Sequence, residues 1–234
     1  MNFLVFLSFI FIIFFSNKRI AHFLHLLQQD SYLNYRLFNW VCKDPIKRIV
    51  LAGFSLTQDN DQKIKKPLVY TARARRIQVA SYLVLVALFF LLNYCIPTLL
   101  LLWTFILILS TPFIVILANI ILFPVQWSIN QSYLLSAKRK LKTINPKVIG
   151  IAGSYGKTST KYFLETITSN KFDVLKSPLS YNTLLGLCKV INNELLPKHE
   201  MFIAELGEYL PGDIKELADL VGPKYGILTA VGPQ

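Results

Sequence analysis

Charge is missing from a long stretch of this sequence. Residues 77–137 contain no Asp, Glu, Lys or Arg, a run of 61. A water-soluble globule needs charged surface residues more often than that, so a single soluble domain is excluded. Cysteine is sparse as well. Cys42, Cys95 and Cys188 stand far apart, and such spacing suggests neither a disulfide framework nor a zinc site. Histidine is equally thin: His22 and His25 lie three apart with no third ligand nearby and read as part of an interfacial helix, and His199 has no support as a ligand. Acidic residues number 13 against 25 Lys and Arg, for a net charge of +12.

The uncharged run is rich in Leu, Ile, Phe and Val and far exceeds the roughly 20 residues needed to cross a bilayer core of about 30 Å. The lipid bilayer is therefore the first expected partner. The basic surplus is uneven: residues 1–76 carry 12 basic and 4 acidic groups, and residues 138–234 carry 13 and 9. A surplus flanking apolar spans records orientation and attraction to anionic headgroups. Nucleic acid is not expected, because no aromatic and basic stacking platform accompanies the charge.

Along the chain, residues 3–15 are almost wholly apolar and are followed by Lys18 and Arg19. No positive charge precedes this core and no small-x-small signature follows it, so residues 1–16 read as a retained anchor rather than a cleaved signal. The anchor is short, and snorkelling of the basic pair is expected to help it span. Residues 17–76 form a basic, partly amphipathic segment in which Leu24, Leu27, Tyr35, Phe38 and Val41 recur at near-helical spacing, and residues 57–66 read as a solvated loop. Residues 77–137 divide near Pro97 into a helical hairpin, the first span covering about 77–95 and the second about 99–125, with room to tilt or to kink at Pro112. Arginines 73, 75 and 76 precede the hairpin, and Lys138, Arg139, Lys140 and Lys142 follow it. Both ends should therefore face the cytoplasm, placing a multi-pass protein in the cytoplasmic membrane.

After a basic linker, residues 138–146, the texture changes. Short apolar runs near 148–152, 172–175, 201–205 and 225–231 alternate with helical patterns near 157–168, 183–196 and 212–221. Strand and helix alternation predicts a parallel α/β sheet for residues 147–234. The first predicted strand ends in VIGIAGSYGKTSTK, residues 148–161. Gly153, Ser154, Gly156, Lys157, Thr158 and Ser159 make a glycine-containing turn that runs directly into a helix. Glycines let backbone N–H groups approach oxyanions, the helix N-terminus favours negative charge, Lys157 neutralises β/γ-phosphate charge and the Thr158 hydroxyl can bind magnesium. The general phosphate-loop pattern has glycine five places before Gly156, where this chain has Ile151, so the match is to the shorter G-x-x-G-K-T-[ST] form.

This loop resembles that of the Mur ligase family, G-[ST]-x-G-K-[ST]-[ST] after an apolar strand. Three more segments agree in order and spacing: KSPLSYNTLLG at 176–186, IAELGEYLPGDI at 203–214 and YGILTAVGPQ at 225–234. Within the family, E-x-G-x-x-x-P-G-[DE]-I most resembles the branch that adds D-alanyl-D-alanine to a UDP-muramoyl tripeptide. The resemblance covers about residues 147–234. It implies a P-loop central domain binding ATP and magnesium, and an amide-bond ligase that works through an acyl phosphate. Residue by residue, it implies that Lys157 contacts the ATP phosphates, that Thr158 and Glu205 ligate magnesium, and that Asn182 and Thr183 lie near the reacting phosphate or acceptor. Glu205 also reads as a surface carboxylate at a strand end, and Asn182 as a turn residue capping the helix from Thr183.

The implied acceptor is a UDP-muramoyl-peptide-like or lipid-linked molecule, and the donor an amino acid or dipeptide. Membrane segments stand where the family has a soluble N-terminal domain, which leaves open a ligase making another peptide or poly-amino-acid product, or a non-enzymatic scaffold. The resemblance further implies that remaining metal ligands and a C-terminal domain lie beyond Gln234, without which ligation is not expected.

Overall fold

The computed structural model of the chain describes residues 3–51, 67–178, 181–208 and 211–232. The expected solvated loop at 57–66 lies outside these. The chain divides into two compact units, Met1–Gln126 and Trp127–Gln234, with the division falling inside one helix.

The first unit is helical. Helix α1 (Phe3–Gln29) is followed by α2 (Asn34–Lys43), a π-helical turn (Ile46–Leu51), α3 (Ala72–Cys95), α4 (Leu100–Leu109) and α5 (Thr111–Ile121). The 27-residue α1 and the 24-residue α3 are long and apolar enough to cross a membrane. At ~1.5 Å per residue they measure roughly 40 and 36 Å. Helix α1 packs against α2, α3, α4 and α5 through Ile12, Ile20, Phe23, Leu24 and Leu27, all buried. Phe3, Phe14, Leu83 and Leu101 point outward instead.

Two sequence expectations change here. The apolar run at 3–15 does not end as a short anchor, because α1 continues through Lys18 and Arg19 to Gln29. The amphipathic stripe from Leu24 to Val41 is broken: Ser31 and Tyr32 take left-handed backbone at φ 56° and 64°, ending α1 and resetting the helical phase. Leu24, Leu27 and Val41 are buried, whereas Tyr35 and Phe38 are exposed. The kink allowed at Pro112 is present: the second predicted span is two helices, α4 and α5, bent by 67°.

Proline chemistry explains that bend. Pro112 has no N–H to give the carbonyl of Ile108, four residues earlier. Arg19 and Thr111 replace the missing donor: Arg19 Nε donates to the Ile108 carbonyl at 3.0 Å and to Thr111 Oγ1 at 3.2 Å, and the Thr111 hydroxyl donates to the same carbonyl. Arg19 Nη2 reaches the carbonyls of Ile49 at 2.5 Å and Leu109 at 3.5 Å. Phe113 donates to Ser110 rather than to Leu109, so the Leu109 carbonyl is not taken by the ordinary helical bond. Arg19 is fully buried and does not snorkel.

The second unit begins in helix α6 (Phe123–Ile144), which runs from the uncharged stretch through the basic cluster. Strand β1 (Lys147–Ala152), helix α7 (Lys157–Thr168), β2 (Val174–Lys176), α8 (Leu184–Glu194), β3 (Met201–Glu205), α9 (Asp213–Val221) and β4 (Tyr225–Leu228) follow. All pairings are parallel and the order is β2-β3-β1-β4, with Ile149 opposite both Ile203 and Tyr225. Alternation along β1 and β3 supplies two cores, as expected for a parallel sheet covered on both faces. Val148, Phe202 and Ala204 pack with α6, α8 and α9; Ile149, Ile151, Met201 and Ile203 pack with Leu164 of α7. Cys188 belongs to the first core, where burial pushes its thiol up to about 11.

The bend gives a direct test by chemical unfolding in detergent. Arg19→Met should lower the unfolding free energy by about 3 kcal/mol, the scale of charged hydrogen bonds lost from buried carbonyls. In a Pro112→Ala background the restored N–H can bond Ile108 directly, so the same change should cost less. Equal costs in the two backgrounds would show that Arg19 does not act on the proline corner.

Candidate functional site

Strands β1 and β3 are neighbours and parallel, so their C-terminal ends open on the same edge of the sheet, where ligands bind in open α/β folds. Beyond β1 the chain turns through residues 153–156 into α7. Gly153 has φ 134°, and a Cβ there would lie 2.1 Å from Thr229 Oγ1. Gly156 has φ 83° and precedes α7 without any side-chain cap, with nothing within 4 Å of where a Cβ would stand. The loop thus presents the uncapped N-terminus of a 12-residue helix to open space, the geometry that accepts an anion. Its far side is tied down by backbone: Ser154 N donates to Ala230 O at 2.8 Å, and Gly232 N donates to Ser154 Oγ at 3.2 Å.

Two lysines one helical turn apart face two glutamates. Lys157 Nζ donates to Gly153 O and lies 3.1 Å from Glu208 Oε1, a partly exposed pair. Lys161 Nζ lies 2.7 Å from Glu205 Oε2, with side-chain exposures of 0% and 4%. Thr158 Oγ1 donates toward Glu205 at 3.1 and 3.3 Å, and Asn182 Nδ2 donates to Glu205 Oε1 at 3.5 Å. The Glu205 backbone N–H donates to Ser177 Oγ at 3.1 Å, and Gly207 N–H to Asn182 O at 2.8 Å.

Of the residues singled out from the sequence, Lys157, Thr158, Asn182 and Glu205 therefore converge. Three hydroxyls fall elsewhere. Thr183 Oγ1 accepts from Gly186 N at 3.2 Å and caps α8, Ser154 Oγ is engaged with Gly232, and Ser159 is exposed on the first turn of α7. Lys161, Glu208 and Ser177 were not anticipated. For Lys161 a signal was available, since four residues after Lys157 means the same helix face. His199 stands apart: it accepts from Leu196 N at 2.9 Å, and burial, then the neighbouring Lys198, holds its pKa below the ordinary value.

Thr158 and Glu205 offer oxygen donors only, the set magnesium takes. Among the described residues no three His, Cys, Asp or Glu gather into a metal cage. The arrangement fits a magnesium ion that draws the rest of its shell from water and phosphate, and does not fit a preformed all-protein site.

Residues 151–234 match the family model described as the Mur ligase middle domain. Curated relatives include UDP-N-acetylmuramoyl-tripeptide--D-alanyl-D-alanine ligases from Synechocystis sp., 38% identical over 85 residues, and Treponema pallidum, 36% identical over 84 residues. Each alignment covers 36% of this chain and 18% of the relative, so the chain spans about a fifth of their length. A crystal structure of MurF from Acinetobacter baumannii aligns with a TM-score of 0.42 and 29% identity, covering 45% of this chain and 23% of that one. Residues 151–234 of this chain are thus similar to the middle domain of the Mur ligase family and to the corresponding stretch of these ligases.

Proposed function

We propose that this chain is the membrane-anchored, nucleotide-binding part of an ATP- and magnesium-dependent ligase that forms an amide bond in peptidoglycan-precursor synthesis. The convergence of Lys157, Thr158 and Glu205 beside the open glycine loop carries this reading. Its substrates are an acceptor resembling a UDP-muramoyl peptide, or a lipid-linked form of it, and an amino acid or dipeptide amine, by extension from the relatives named above.

In this reading the loop amides and Lys157 hold the triphosphate, and Lys157 exchanges Glu208 for phosphate oxygens as nucleotide enters. Thr158 and Glu205 supply protein oxygens to magnesium, which when bound neutralises charge on the phosphoryl group passing to the acceptor carboxylate. Asn182 orients Glu205 from the opposite side and lies near the reacting groups. Thr183 serves by starting α8 rather than by touching substrate, because its hydroxyl is used as a cap. In the same reading α1, α3 and the bent α4 and α5 lie in the cytoplasmic membrane, which the length and apolar character of α1 and α3 support, and the catalytic domain faces the cytoplasm, where ATP is found. The basic groups at Arg73, Arg75, Arg76 and residues 138–142 support that orientation.

Calorimetry on the full chain in detergent should detect magnesium-ATP binding that weakens at least about tenfold in Lys157→Ala, the factor expected when a charged contact of ~1.5–3 kcal/mol is lost. Equal affinities would remove Lys157 from the phosphate site. Orientation is tested separately in intact cells. A cysteine introduced at Lys142 should resist a membrane-impermeant thiol reagent, and labelling of that position from outside would reverse the assigned topology.

A further inference from the structure

The two lysine–glutamate pairs differ in how readily they can be undone. Lys157 and Glu208 retain 14% and 21% exposure, so phosphate can replace one partner and water can receive the other. Lys161 is fully buried at 2.7 Å from Glu205, and bulk ions cannot reach it to screen its charge. The carboxylate that Thr158 also touches is thus already paired with a buried lysine. Counting both pairs, the two positive and two negative charges cancel. A divalent cation arriving alone would meet one neutralised carboxylate and one hydroxyl, and among the described residues no further acidic or imidazole group completes a cage. Magnesium parts with its water reluctantly and normally relies on phosphates for its remaining ligands.

We propose that Lys161 makes metal capture conditional on nucleotide: by cancelling the charge of Glu205 it keeps the site from holding a divalent cation until a triphosphate brings the missing negative charge. The inference rests on the nucleotide reading above and adds an order of assembly to it. The metal enters with the nucleotide or after it, never before. Lys161 acts here as a positioning and charge-setting residue, without contact with substrate. A purely structural ion pair would predict something different, namely lost stability on substitution with no change in metal affinity.

Manganese(II) is a suitable probe, because its free form is counted directly by electron paramagnetic resonance. In the full-length chain in detergent, wild type should bind manganese at least tenfold more tightly with ATP than without it. Lys161→Gln, which keeps the polar packing but removes the charge, should raise the ATP-free affinity at least tenfold and narrow that gap. Lys161→Arg keeps the charge and should behave as wild type. A folded Lys161→Gln chain, checked by its unfolding transition, that shows unchanged ATP-free affinity overturns the proposal while leaving the nucleotide reading intact. Should that variant fail to fold, wild type and Lys161→Arg still decide: a gap of tenfold or more in both supports the proposal, and tight ATP-free binding in either overturns it. Absence of any ATP-dependent manganese uptake by wild type would instead remove the nucleotide reading, and this inference with it.

Discussion

A carboxylate at the tip of β3 can be kept ionised in a water-poor setting only if an opposite charge is buried with it, and Lys161 meets that demand. Much of the second unit is arranged around the pair. Helix α7 must lie over β3 at the height that brings Lys161 to Glu205, and the loop between β1 and α7 is then held to the few conformations that span that gap. Glycines at 153 and 156 make those conformations accessible. Ser177, just past β2, receives the Glu205 backbone N–H, and Asn182 closes the third side. Three segments distant in sequence, α7, the 177–182 stretch and β3, thus meet at Glu205, and breaking the pair would leave a charge with little water to receive it.

The sheet was largely legible in the sequence because its central strands are apolar on both faces. Residues 201–205 and helix 157–168 appear with their expected bounds, since a short apolar run and a strong helical period leave little choice. The edges shift. Strand β2 lies at Val174–Lys176 rather than 172–175, because Phe172 turns into the α7 core instead of pairing. Strand β4 stops at Leu228: Thr229 still donates to Ala152 at the end of β1, and the Ala230 carbonyl then accepts from Ser154 and Tyr155 of the glycine loop.

The helical unit was harder to read, and for a physical reason. Period and hydropathy register a helix but not its interruption by two left-handed residues, so Ser31 and Tyr32 reset a stripe that continues on paper from Leu24 to Val41. In the candidate site, residue type marked Lys157, Thr158 and Glu205. The spacing of four after Lys157 marked the helix face of Lys161 but not its partner, and Glu208 required three dimensions, because a glutamate three places past another is an ordinary surface choice until the fold brings it to Lys157.

The corner between α4 and α5 bears on how the chain is made. Its donor, Arg19, precedes the carbonyls of Ile108 and Leu109 by about ninety residues, so it has left the ribosome long before Pro112 is added. When the proline withholds its N–H, a guanidinium carried by the first helix is already waiting. The order of synthesis therefore matches the order of need. A circular permutant that moved α1 behind α5 would retain every contact in the finished fold, yet the bent hairpin would be translated before its donor existed.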